Sequence, residues 1–275
     1  MLGIMSATDR DRRPAVTRGR RQLLPHQHGA WAFLVLPLLL GLCVAGWSVL
    51  LVPLAFAWIA SYPFSWAVAA SVSMPRPERY RDAVVLWGVV SAAAGLVVLL
   101  QRPWLVWVLL VYGAAFAVNL DFARRRSERA IANDLLLVAE CSLVVPVAAG
   151  VLAGGDGWEP PWSAMSGSAV LVWTVVCVLT LVGSTLHVKS LIRERRDPRY
   201  TRASQAFAVA SVPVAAALAL VGGVPWWAVT VPLALLAGRA LWLHDPTMRP
   251  GRLGMIELVC FVAVVAGGAA ARLAG

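Results

Sequence analysis

The sequence predicts an all-α, polytopic integral membrane protein with about nine transmembrane helices, its N-terminus in the cytoplasm and its C-terminus outside. Hydrophobic residues make up 60 % of the 275 residues, against about 45–50 % in soluble proteins. Charged residues fall to 14 %, against about 25 % in soluble proteins. So few charges would not cover the surface of a soluble domain, and we therefore expect the chain to fold in a lipid bilayer.

Nine apolar runs have the length of a membrane crossing. A helix needs about 20 apolar residues to cross a bilayer, and about 17–25 are tolerated. The boundary between the first two helices is the hardest to place, because no charged residue occurs from Gly29 to Pro75. We expect Gly46-Trp47-Ser48 to divide this run as a hairpin at the membrane interface. The predicted helices are residues 29–45, 49–70, 83–101, 104–120, 131–152, 166–187, 203–222, 226–243 and 255–272.

The distribution of positive charge predicts the orientation of these helices. With the N-terminus inside, every one of the 24 basic residues except Arg102 and Arg272 falls on the cytoplasmic side, as the positive-inside rule requires. Residues 1–24 are then a disordered basic cytoplasmic tail, and residues 25–275 are a single transmembrane domain. The net charge of +10 reflects these loops, so nucleic acid is not an expected partner.

The densest polar motif is Pro25-His26-Gln27-His28-Gly29-Ala30-Trp31, at the start of the first helix. His26 and His28 are separated by one residue, a spacing that suits a metal ion or an anionic head group. Zinc sites need three or four ligands, so two histidines alone do not define one. The same residues also suit an ordinary helix start at the membrane interface, with Trp31 as the anchor.

A second cluster follows the sixth predicted helix. Lys189, the single lysine of the chain, and Arg193 are four residues apart and share one helical face, with His187 close to them. Two cations so placed are suited to binding a phosphate or diphosphate. A positive helix end on the cytoplasmic side explains the same residues without a ligand.

A third group of polar residues brackets the short loop between helices four and five. Asn119 and Asp121 close helix four, while Asn133 and Asp134 open helix five. An acidic residue in the first turn stabilises the helix dipole, which is a sufficient structural reason for Asp134. The four side chains also suit a bound cation or ion pairs with the neighbouring arginines.

Two carboxylates are predicted at membrane depth. Glu140 lies two to three turns inside helix five, and Glu257 lies just inside helix nine, where Arg249 and Arg252 are within its reach. An ionisable side chain in the membrane is a functional candidate because its burial is costly. Glu140 is therefore a candidate for relaying a proton.

Three segments together resemble the bacterial YwiC-like membrane proteins. They are Pro25 to Trp31, then Asn119-Leu120 with Phe122-Ala123, Glu128-Arg129-Ala130 and Asn133-Asp134, and then the stretch from His187 to Arg195. The resemblance spans most of the chain after the tail. It implies a membrane fold but no particular reaction.

A more remote resemblance is to the UbiA-type prenyltransferases, which have nine helices and polar cytoplasmic loops after helices two and six. In that superfamily, aspartate-rich motifs in these loops bind Mg²⁺ and an isoprenyl diphosphate. The resemblance implies a membrane lipid such as an isoprenoid diphosphate as partner, with Mg²⁺ as cofactor. This chain departs from the pattern, since it has Glu78 and Asp82 in the first loop, and Glu194 and Asp197 without a DxxxD motif in the second.

Three functions remain open on the sequence alone. The first is a UbiA-like protein that binds or transforms a phosphate-headed lipid through the residues named above. These candidates are His26, His28, His187, Lys189, Arg193, Asn119, Asp121, Asn133, Asp134 and Glu140. The second is a proton-coupled transporter with Glu140 as the coupling group, and the third is a membrane scaffold without catalysis.

Overall fold

The computed structural model describes residues 23–25, 30–75, 77–127, 130–243, 245 and 247–274. Nine helices of 16 to 25 residues account for most of them. They are α1 (Ala30–Ala45), α2 (Leu51–Ser73), α3 (Arg81–Gln101), α4 (Leu105–Arg124), α5 (Ile131–Ala153), α6 (Ser168–Ile192), α7 (Pro198–Gly222), α8 (Trp226–Trp242) and α9 (Pro250–Ala274). The described ranges contain no β-strand, which confirms the all-α prediction.

Seven of these helices are long and apolar enough to cross a membrane. The exceptions are α1 and α8, which are apolar but have 16 and 17 residues, close to the lower limit of about 17 for a crossing. The chain is therefore a polytopic membrane protein. Nine crossings and the cytoplasmic side of the N-terminus remain predictions.

Helix α6 lies at the centre of the bundle and packs against α1, α5, α7, α8 and α9. Its buried side chains include Trp173, Cys177 and Leu181, which join the largest apolar core. Helices α2, α3 and α4 form a lateral group, in which α2 packs against both of the others and α4 contacts α5. Polar residues on α6 are consequently held away from lipid by neighbouring helices.

Contacts between helix ends show how the helices run. Arg102, just after α3, donates to the carbonyl of Val151 near the C-terminal end of α5. Arg272, in the last turn of α9, donates to the carbonyls of Cys43 and Val44 at the C-terminal end of α1. The C-terminal ends of α1, α3, α5 and α9 thus lie at one end of the bundle, here called the far end. The opposite end, where α5 and α9 begin and α6 and α8 finish, is called the basic end.

Arg102 and Arg272, the two exceptions to the predicted charge distribution, therefore both bind helix carbonyls at the far end. Arg102 also pairs with Asp156, at 2.6 Å. Cations are favourable at helix C-termini, because the last carbonyls carry partial negative charge and lack backbone partners. These two arginines have a structural reason to lie at the far end.

We expect Arg272→Met to lower the free energy of unfolding by about 1 kcal/mol, because an exposed cation bonded at 3.1 and 3.2 Å to the last carbonyls of α1 is lost. Gly46 leaves room for this arginine, because a Cβ at position 46 would lie 2.6 Å from Arg272 Nη2. The φ of Gly46, +92°, is a second reason for glycine at this position. Denaturant unfolding in detergent measures the change. Arg252→Met, at an exposed arginine of the same helix, is the control and should be near neutral. Equal effects of the two substitutions would contradict the capping role.

Candidate functional site

The basic end brings Lys189 and Arg193 of the α6 terminus against Asp134 of α5. Lys189 Nζ lies 2.5 Å from Asp134 Oδ2, and Arg193 Nη1 lies 3.8 Å from Asp134 Oδ1. We call these three side chains the Lys189 cluster. The predicted i, i+4 pair of cations thus does share one face, and Asp134 of the neighbouring helix lies opposite both.

Burial differs sharply within the Lys189 cluster. The side chain of Lys189 is 4 % exposed, that of Asp134 is 20 % exposed, and that of Arg193 is 44 % exposed. A lysine buried in a membrane domain is costly unless a charge compensates it, and Asp134 supplies that charge. Two cations thus face the carboxylate of Asp134, and Arg193 is the one that reaches the surface.

His187 and Asn133 lie next to the Lys189 cluster along their helices. His187 is buried on α6, two residues before Lys189, and its carbonyl accepts a hydrogen bond from Ser190 at 2.8 Å. Asn133 is half-buried in the first turn of α5, directly before Asp134. The contacts thus join three of the predicted site residues, Lys189, Arg193 and Asp134, whereas His187 and Asn133 are near them in sequence and His187 leaves α6 about 200° away from Lys189.

A second ion pair is buried at the same end, between α8 and α9. Arg239 Nη1 lies 2.5 Å from Glu257 Oε2, and their side chains are 2 % and 8 % exposed. Ser184 of α6 donates to the same carboxylate oxygen, and the Gly183 carbonyl lies 3.5 Å from Arg239 Nη2. Ser184 and Lys189 are five residues apart, about 7.5 Å along α6 and about 140° around it. The two buried pairs therefore occupy different sides of α6.

The partner of Glu257 differs from the expectation. The sequence suggested Arg249 or Arg252, but the carboxylate is buried and pairs with Arg239 of the preceding helix. The charge distribution assigns Arg239 to the cytoplasmic side together with the loop arginines, although it lies inside the predicted span 226–243. An arginine within an apolar span is rare and usually paired, which is the signal that identifies it.

Glu140 forms a third polar contact, between α4 and α5. Asn119 Nδ2 donates to Glu140 Oε1 at 2.7 Å, and the Tyr112 hydroxyl donates to the Glu140 backbone carbonyl at 2.7 Å. Asp121 does not join them: it is exposed and pairs at 2.9 Å with Arg125, the residue directly after α4. Of the residues around the α4–α5 loop, Asn119 and Glu140 thus form one unit, whereas Asp134 belongs to the Lys189 cluster.

His26 and His28 lie outside the described residues, so their predicted role stays a prediction. Helix α1, which begins shortly after them in the sequence, packs against α6. Within the described ranges, no three His, Cys, Asp or Glu side chains lie close enough together to hold a metal ion. The loop carboxylates Glu78 and Asp82, which the UbiA resemblance singles out, are both exposed.

Comparison with known proteins confirms the first resemblance. The model of the family described as YwiC-like protein matches residues 24–149. The chain is 28 % identical to "Uncharacterized protein YwiC" of Bacillus subtilis over 252 residues, which cover 89 % of this chain and 97 % of that protein. It is 26 % identical to an "Uncharacterized protein" of Haemophilus influenzae over 192 residues, which cover 67 % and 74 % of the two chains. No solved structure matches the chain.

Proposed function

We propose that this polytopic membrane protein, which resembles the YwiC-like proteins over most of its length, binds a phosphate-headed lipid. The binding site is at the basic end, on the cytoplasmic side of the cell membrane. The Lys189 cluster carries this proposal. Lys189 and Arg193 bind the phosphate oxygens, and Asp134 holds the lysine in place. The ligand class that fits best is an isoprenoid diphosphate.

Arg193 offers the donors for a phosphate group. At 3.8 Å from Asp134, the Arg193 guanidinium is attracted to the carboxylate but lies beyond hydrogen-bonding distance. Its five N–H groups form a planar fork that matches two phosphate oxygens. Lys189 lies beside it, bonded to Asp134, and adds its positive charge to the site.

The position of the cluster favours a lipid over a soluble phosphate. Lys189 and Arg193 lie at the end of an apolar helix of 25 residues, which is the level of the lipid head groups in a bilayer. The first turn of α5 adds the positive end of a helix dipole beside Asp134. An isoprenoid chain attached to the phosphate would extend toward the apolar surface of the bundle.

Thermal unfolding in nanodiscs tests this proposal. We expect a prenyl diphosphate to raise Tm, by an amount equivalent to about 2.7 kcal/mol at 100 times Kd, and Arg193→Gln to weaken binding about 10- to 100-fold. Inorganic diphosphate and the prenyl alcohol, which each lack one half of the ligand, should give smaller shifts. Parallel titrations with and without Mg²⁺ test whether the cation contributes.

Arg196→Gln is the matched control, because Arg196 is an exposed arginine three residues further along the same segment. It should bind the prenyl diphosphate like the unmodified protein. The double substitution His26→Ala/His28→Ala tests whether the first motif contributes to the same site. An unchanged affinity in Arg193→Gln would refute the assignment, and the absence of any shift would favour the transport hypothesis, with Glu140 as its candidate.

A further inference from the structure

An open groove of about 480 Å³ runs along the outer face of α7, with Leu241 of α8 beside it. Arg202 and Gln205 lie at one end of it, and Pro213 lies at the other. Its floor includes Ala206 and Ala210, whose small, exposed side chains leave the space open. The groove is thus apolar along its length and polar at a single end.

We propose that this groove binds one acyl chain of an anionic phospholipid, with the phosphate of the head group on Arg202. The proposal is independent of the proposed function, because the Lys189 cluster lies against α5, whereas the groove is formed by α7 and α8. Three features of the groove support the proposal: its length, the helix contacts beside it and the positive charge at its polar end.

The length of the groove matches one leaflet of a bilayer. Arg202 and Pro213 are eleven residues apart on α7, which corresponds to about 16 Å along the helix axis. Half of a hydrocarbon core of about 30 Å is about 15 Å. A chain whose head group lies beside Arg202 therefore follows the groove to the middle of the membrane.

The wall of the groove is held in place by contacts between α7 and α8. Gln205 Nε2 donates to the Ala240 carbonyl at 3.2 Å and joins the two helices at the polar end. Next to it, Ala208 of α7 packs against Ala237 and Ala240 of α8 in a small buried cluster. These contacts fix the distance between the helices, so the groove exists before a lipid arrives.

The charge at the polar end selects the head group. Arg202 is exposed in the second turn of α7, and none of the ion pairs among the described residues involves it. Arg195 and Arg196 in the preceding connection and Arg199 in the first turn of α7 are also exposed but do not line the groove, so Arg202 is the cation positioned at its end. A lipid with a net negative charge is therefore favoured over a zwitterionic lipid with the same chains.

Native mass spectrometry of the purified protein in detergent, with added lipid, tests the proposal. We expect phosphatidylglycerol to bind at least about tenfold more tightly than phosphatidylcholine with identical chains. Arg202→Gln should remove this difference, and Ala210→Leu should weaken the binding of both lipids by filling the groove. Both positions are exposed, so the variants are expected to fold.

Matched controls separate a built site from general attraction to a positive surface. Arg199→Gln removes a nearby exposed arginine that does not line the groove, and Ala93→Leu adds the same bulk to an exposed alanine of α3. Both should bind phosphatidylglycerol normally. Equal binding of the two lipids, or equal losses in Arg199→Gln and Arg202→Gln, would overturn the proposal.

Discussion

Glu257→Gln is expected to lower the free energy of unfolding by about 3–5 kcal/mol, which is the usual cost of removing one partner from a buried ion pair. The substitution leaves the Arg239 guanidinium, 2 % exposed, without a compensating charge. The amide of glutamine still accepts a hydrogen bond from Ser184, so the expected loss is mainly electrostatic. Arg239→Gln should be similarly costly, because it leaves the carboxylate buried and unpaired.

A double-mutant cycle gives the clearest measurement of this pair. In the combined variant Arg239→Gln/Glu257→Gln neither charge is buried alone, so its free energy of unfolding should exceed the additive expectation by more than about 1 kcal/mol. Denaturant unfolding in detergent supplies the four values. Arg252→Gln, at an exposed arginine of α9, is the matched control and should change stability by less than about 0.5 kcal/mol. Additive effects of the two single substitutions would show that the pair is not coupled.

The predicted helices match the structure closely because their limits are set by charge and by turn residues. Differences are concentrated at the basic end, where helices continue past the apolar run. The span 166–187 becomes Ser168–Ile192, and the span 203–222 becomes Pro198–Gly222. Hydropathy reports where the hydrocarbon ends, whereas backbone hydrogen bonding continues into the interface until a residue such as Pro198 begins the next helix.

The sequence predicts which site residues are neighbours only where both lie on the same helix. The shared face of Lys189 and Arg193 follows from helical periodicity, which fixes neighbours four residues apart. That Asp134 lies opposite Lys189, 55 residues away in the sequence, depends on how α5 packs against α6. The same limit applies to Asn119 and Glu140, which were separate candidates until the packing of α4 against α5 joined them.

Gly267 marks the closest approach of α9 to α8. A Cβ at this position would lie 2.1 Å from the backbone carbonyl oxygen of Ala228 and 3.1 Å from Cγ of Pro232. The next residue, Gly268, faces α1, where a Cβ would lie 3.3 Å from Cβ of Cys43. Small residues allow membrane helices to pack closely, where van der Waals contact is a main source of stability. The two glycines thus allow α9 to pack closely against both α8 and α1.

Gly267→Ala is therefore expected to destabilise the protein by about 1–3 kcal/mol or more, because a backbone carbonyl rather than a flexible side chain must move. Gly254→Ala is the matched control on the same helix, since no atom lies within 4 Å of its added Cβ. Alanine is the better helix former by up to about 1 kcal/mol, so the control should be neutral or stabilising. The two substitutions add the same methyl group, and a difference in their free energies of unfolding measures helix contact rather than propensity. If Gly267→Ala were as stable as Gly254→Ala, the close packing of α8 against α9 at this position would be wrong.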